Sequence, residues 1–174
     1  MLLNVHTTLK PRKEEQRGTM IVTWRDSTES ATYDAICCQG IFNKARPVQH
    51  PTAVVKATST RDIQDAVALA KEHRCQITVR AGGHSIQVWG LRDDSILVDL
   101  GDWKEINFQQ ETGIVQVTPA VTGDELNYHL TRGFGRMFPG GHCKGVGLGG
   151  FLLSGGIGWN SRVCCLSTVG YIRC

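Results

Sequence analysis

The run Arg80, Ala81, Gly82, Gly83, His84, Ser85, set directly after the β-branched stretch Gln76, Ile77, Thr78, Val79, restricts this chain more than any other feature. Adjacent glycines at a strand end reach positive φ and carry no Cβ, so their N–H groups can converge on a phosphate. The imidazole that follows is then held against whatever the glycines admit. A second glycine loop lies downstream, through Pro139, Gly140, Gly141, His142, Cys143, Lys144, Gly145, Val146 and Gly147. Any fold for the chain has to make room for both.

A chain of 174 residues buries one sizeable core. The hydrophobic pattern reads as mixed α and β structure. Ala53 to Ala57 form a first strand, and Ser59 with Asp62 predicts a capping box. Ile63, Ala66, Val67 and Ala70 then give one helical stripe. Gln76 to Arg80 form the second strand, with the Gly-Gly-His loop at its C-terminal end, where α/β units usually hold ligands. Ile96 to Leu100 predict a further strand, and Ile106 to Phe108 with Ile114 to Thr118 a hairpin. Thr122 and Glu125 open a helix expected to stop at Gly133. The final segment reads as a glycine-rich loop anchored in the core by Phe151, Leu152 and Leu153. Residues 1–30 are polar, without a sustained period, and read as a mobile leader.

Net charge of +3 is too small to argue for a nucleic-acid partner. After Glu125 no acidic residue occurs, while Arg132, Arg136, Lys144, Arg162 and Arg173 remain, a balance that suits an anionic ligand such as a pyrophosphate. For any one of these cations a solvated surface position is the simpler explanation. Seven cysteines, without C-x-x-C spacing, favour neither a zinc site nor a full disulfide framework. The pair Cys37 and Cys38 reads as buried filler. The uncharged stretch 145–161 is too short and glycine-rich for a good membrane helix. The N-terminus lacks the apolar core of a secretion signal, so a cytoplasmic location is the expectation and secretion the alternative.

Competing motifs are weaker. Gly145, Gly147 and Gly150 match the spacing of a dinucleotide fingerprint, but no strand precedes them and no acidic residue follows to hold a ribose. Adjacent His142 and Cys143 do not readily converge on one metal ion. Ser154 stands in Leu-Ser-Gly-Gly, which is no nucleophile elbow.

Taken together, the R-x-G-G-H-S loop at Arg80 to Ser85 and the G-x-C-x-x-V-G loop at Gly141 to Gly147 resemble the FAD-linked oxidases of the berberine bridge enzyme group, over about Tyr33 to Arg162. The resemblance implies an α+β fold, the FAD-binding p-cresol methylhydroxylase (PCMH/VAO) type, truncated at its C-terminus. It implies FAD as cofactor, held by Arg80, Ala81, Gly82, Gly83, His84, Ser85, Cys143, Val146, Gly147 and Gly150. In that group the histidine bonds to the flavin 8α-methyl carbon, and a thiolate attacks C6 in members with a second link. His84 and Cys143 stand at those positions. A histidine alone in a loop is more often an ordinary surface residue, and a cysteine a structural thiol. Here the first follows two glycines, and the second lies between His142 and Lys144, an electropositive setting that activates a thiol. The resemblance further implies a small-molecule substrate and oxidation of an alcohol, sugar or amine-bearing carbon with oxygen as acceptor. It divides the chain into a leader (1–30), the N-terminal part of the flavin domain (33–162) and a divergent tail (163–174). The match fails after Arg162, before the family's remaining flavin contacts and its substrate domain. A non-catalytic fragment is therefore the alternative expectation, and no catalytic base is assigned.

Overall fold

A computed structural model describes residues 20–26, 28–43, 48–160 and 162. In chain order it contains β1 (Ile21–Trp24), α1 (Ser30–Cys38), β2 (Ala53–Lys56), α2 (Thr60–Glu72), β3 (Gln76–Arg80), β4 (Ser95–Asp99), β5 (Ile106–Gln109), β6 (Ile114–Val117), α3 (Gly123–Phe134) and α4 (Leu148–Leu153). The tail from 163 lies outside the described residues, as does most of the stretch read as a leader.

Four strands form one sheet in the order β1, β2, β4, β3, with β2, β4 and β3 parallel and β1 antiparallel to β2. Every residue of β4 is buried, as expected of a central parallel strand covered on both faces. Ala53, Val55, Ile96 and Val98 face α2, where Ala66 and Ala70 let the helix approach closely. Val54 and Leu97 face the other way, onto Tyr33 and Cys37 of α1. Burial pushes the Tyr33 phenol and the Cys37 thiol up, the thiol to about 11, which makes Cys37 an inert core group. A third cluster joins the β5–β6 hairpin to α3 through Val121, Leu126, Leu130 and Leu148.

Several local expectations shift. β1 lies inside the stretch read as a leader: Met20, Val22 and Trp24 alternate onto the α2 face of the sheet, and pairing with β2 supplies the hydrogen bonds that so short a strand lacks alone. Ser59 caps α2 by accepting from the Asp62 N–H at 3.2 Å, while the Asp62 carboxylate accepts from Thr58 N–H, one residue earlier than a reciprocal box requires. On α2 the inward stripe is Ile63, Ala66, Leu69 and Ala70, with Val67 exposed. α3 passes through Gly133 and ends at Gly135, whose φ of 60° supplies the left-handed cap. The glycine-rich segment contains α4, and only Phe151 and Leu152 of its apolar triplet pack inward; Leu153 is exposed. No helix among the described residues is long and apolar enough to cross a membrane.

Two electrostatic arrangements hold this framework. Arg80 and Asp99, at the C-terminal ends of β3 and β4, are both buried and pair at 2.8 Å. Arg80 also donates to the carbonyls of Ile36 and Cys37 at the end of α1, and Asp99 Oδ1 accepts from Gly101 N–H at 3.0 Å. Removing one partner of a buried pair strands a charge. Asp99→Ala is accordingly expected to lower the unfolding free energy by about 3–5 kcal/mol in a urea titration; a loss below about 1 kcal/mol would place the pair among incidental contacts.

The second arrangement is the capping box of α3, in which Thr122 accepts from Glu125 N–H and the Glu125 carboxylate accepts from Thr122 N–H. Burial pushes the Glu125 carboxyl up, but hydrogen bonds from Lys104 and Thr122 outweigh it and hold the group below its ordinary value of 4.5. The stability it contributes is complete above that value and is lost as pH falls through the lowered folded one. Glu125→Gln should therefore flatten the acid limb of a stability profile and leave the neutral plateau's shape unchanged, as followed by denaturant midpoints between pH 3 and 7, a range of about four units chosen to bracket a carboxylate.

Candidate cofactor site

The two glycine loops, more than fifty positions apart in sequence, lie against each other. A Cβ at Gly82 would overlap the backbone nitrogen of Gly147, and a Cβ at Gly147 would lie 2.9 Å from the nitrogen of Gly82. Contact this close is open only to residues without side chains. The downstream loop is fixed in turn by Leu148 N–H on Val121 O at 2.8 Å and Gly149 N–H on Pro119 O at 3.0 Å. Gly83, at φ 70°, has its backbone on Gly40, just beyond α1. Ser85 closes the first loop by accepting from Trp89 N–H at 3.3 Å.

Between and beside the loops opens a cleft of about 900 Å³. Arg80, Ala81, Gly82, Gly83, His84, Ser85, Val146, Gly147 and Gly150 all line it. Cys143 does not: it is exposed and outside the lining, two residues before the Gly145 that touches His84. Arg80 lines the cleft at its wall, but its guanidinium is spent on Asp99 and α1, so its polar atoms are engaged in the core. The remaining wall is largely apolar, with Val79, Trp89, Leu153 and Ile157 exposed into or around it. Sequence reasoning did not single out Trp89, and gave no role to Phe42, which stacks on His84. Their signal was present as exposed apolar residues flanking glycines, but only the fold gathers them.

Arg80 and His84 are the sole ionisable residues among the described lining residues. A polar backbone cradle beside an apolar wall suits a ligand with a phosphate end and a flat, weakly polar end. The volume is in the range of about 300–1,000 Å³ usual for small-molecule sites. At Gly150 a Cβ would meet nothing within 4 Å, so that side of the loop is open. The residues present thus fit a flavin nucleotide.

Sheet, loops and cleft define a module of mixed α and β structure that seats a nucleotide cofactor. The chain belongs to the FAD binding domain family, whose model matches residues 51–170. It is 48% identical over 141 residues to the FAD-linked oxidoreductase janO of Penicillium janthinellum, covering 81% of this chain and 31% of that protein. It is 35% identical over 143 residues to a xylooligosaccharide oxidase of Thermothelomyces thermophilus, covering 81% of this chain and 28% of the oxidase. Among solved structures, BBE-like 1 of Physcomitrella patens superposes with a TM-score of 0.74 at 27% identity, over 86% of this chain and 32% of that one. These neighbours confirm the p-cresol methylhydroxylase-type fold. The chain spans about a third of the length of the relatives it matches.

The site's dependence on backbone contact is testable with two glycines of equal φ. Gly83 (φ 70°) packs on Gly40, whereas Gly113 (φ 69°) has nothing within 4 Å of a Cβ. Gly113→Ala should cost about 1–2 kcal/mol from left-handed strain alone, and Gly83→Ala clearly more, with weakened FAD binding; equal losses in thermal and fluorescence titrations would mean that the Gly40 contact is dispensable.

Proposed function

We propose that this chain is the flavin-seating part of an FAD-linked oxidoreductase, in which FAD is bonded through His84 and an alcohol, sugar or amine-bearing carbon is oxidised with oxygen as acceptor. The observation that carries the reading is the meeting of His84 with both glycine loops at one cleft. Bound FAD supplies two-electron redox chemistry. The chain's own residues would do the rest: backbone at Gly82, Gly83 and Gly147 would hold the phosphates, and Val146, Gly150, Val79, Trp89 and Phe151 would line the remainder of the cleft and keep water out.

With FAD bound, His84 would supply the imidazole nitrogen for an N–C bond to the 8α-methyl carbon, the displaced N–H and C–H hydrogens and the electron pair passing to dioxygen as hydrogen peroxide. Cys143 is the candidate for a second bond, on the loop that touches His84. The relatives named above support a small-molecule substrate, a sugar among the options.

A second reading, a flavin-binding piece without turnover of its own, is favoured by the lining. Hydride removal from an alcohol needs a positioned proton acceptor. The described lining has no carboxylate, tyrosine, cysteine or lysine.

The test is to add FAD to the 174-residue chain, precipitate with acid, and read the flavin retained. Wild type should give a yellow pellet and His84→Ala a paler or colourless one; wild-type retention by His84→Ala would remove the assignment. Peptide mapping of the yellow product finds flavin mass on Cys143 if the link is double. Steady, sugar-dependent peroxide from this chain alone would overturn the second reading.

A further inference from the structure

We propose that Phe42 is the positioning residue for His84, acting as the flat plate that fixes the imidazole plane for bond formation; this rests on the reading that His84 carries the flavin. The two rings stack with centroids 4.5 Å apart and planes only 6° from parallel. Near-parallel planes at this centroid separation make an offset stack, one of the two geometries that aromatic pairs prefer.

The surrounding contacts fix the backbone on both sides of this stack. Gly40, Phe42 and Asn43 form a strap across the Gly-Gly-His loop. Gly40 lies under Gly83, Phe42 covers one face of His84, and Asn43 Nδ2 donates to Ile86 O at 3.1 Å. The strap leaves α1 immediately, with Ile41 N–H on Cys38 O at 3.1 Å and Ile41 itself buried. Just upstream, Ile36 and Cys37 accept from Arg80, the residue that starts the loop. The chain from Ile36 to Asn43 thus grips the loop from Arg80 to Ile86 at both ends.

The imidazole is limited on a second side. A Cβ at Gly145 would lie 2.5 Å from His84 Nε2, so this ring edge is set against the backbone of the other glycine loop. Phe42 blocks rotation about the ring axis, and Gly145 limits its swing. Both remaining torsions of the side chain are thereby restricted before any ligand arrives. Phe42 is itself half exposed and belongs to none of the core clusters, so an aromatic there is not required for burial.

Phe42 takes no part in the bond change, in which the imidazole N–H and one 8α C–H are lost, N–C forms, and the electron pair passes to dioxygen. Its effect is on approach geometry, where a misplacement on the order of 1 Å costs about a hundredfold in rate.

The experiment uses the full chain with Phe42→Leu and Phe42→Tyr, following acid-stable flavin against time after adding FAD, and the ring protons of His84 by NMR without FAD. Phe42→Leu should slow attachment by about ten- to a hundredfold at unchanged initial FAD affinity, and its His84 protons should lose the upfield ring-current shift. Phe42→Tyr should restore both. Attachment at the wild-type rate in Phe42→Leu, or equal slowing in Leu and Tyr variants with unaltered His84 shifts, would overturn the role of Phe42. Absence of acid-stable flavin in wild type itself would instead overturn the His84 reading on which it rests.

Discussion

Arg80 carries the geometry of this molecule. Its guanidinium joins three elements that have no other reason to stop at the same point: its own strand β3, the neighbouring β4 through Asp99, and the C-terminal carbonyls of α1. Helix C-termini leave carbonyls without intrahelical donors, and a buried arginine satisfies them while matching the negative end of the dipole. Asp99 in turn spends its second oxygen on Gly101 N–H, and Leu100 N–H returns to Arg80 O at 2.8 Å. No buried side-chain polar atom among the described residues is left without a partner. Such complete pairing offsets the cost of taking two charges out of water. It also fixes where the next residues begin, and those residues are the Gly-Gly-His loop.

From that fixed start, the site is built by subtraction. Gly82 against Gly147, Gly83 against Gly40 and Gly145 against His84 are contacts made possible by missing side chains. The polar half of the cleft is therefore backbone, whose donors need no rotamer to be chosen when an anion arrives. Its apolar half is made by residues left uncovered at the C-terminal ends of the parallel strands and on α4, such as Val79 and Leu153.

How much of this could be read in advance follows from how local each determinant is. β3 and the loop after it were legible because a β-branched run meeting two glycines is decided within a few residues. The capping box of α3 was legible for the same reason, although the helix ran past Gly133, since an isolated glycine interrupts a helix only weakly compared with the left-handed stop at Gly135. β1 was not legible, because four residues at a sheet edge become a strand only through their partner. Arg80 was assigned to the cofactor from its motif, whereas its guanidinium serves the core; the motif shows that an arginine is needed there, and only tertiary structure shows what for. The sequence assigned no role to Phe42. Its role depends on α1, β3 and the downstream loop meeting, and no window of sequence contains all three.

The division of labour in the cleft follows from the same economy. In the proposed function, glycine backbone and apolar walls would position and desolvate a flat, anionic cofactor, and one imidazole, stacked and edge-limited, would offer a nucleophile. Groups that would move a substrate proton are missing from the described lining, and their absence suits the site's first task. A carboxylate beside the loops would repel a pyrophosphate and, in a largely apolar wall, would need a partner of its own to stay charged. Seating the cofactor and deprotonating a substrate thus make opposite demands on local charge. A protein of the proposed function meets both most simply by drawing its proton acceptor from residues outside this cleft, so that the strap, the loops and the Arg80 pair can be shaped for the flavin alone.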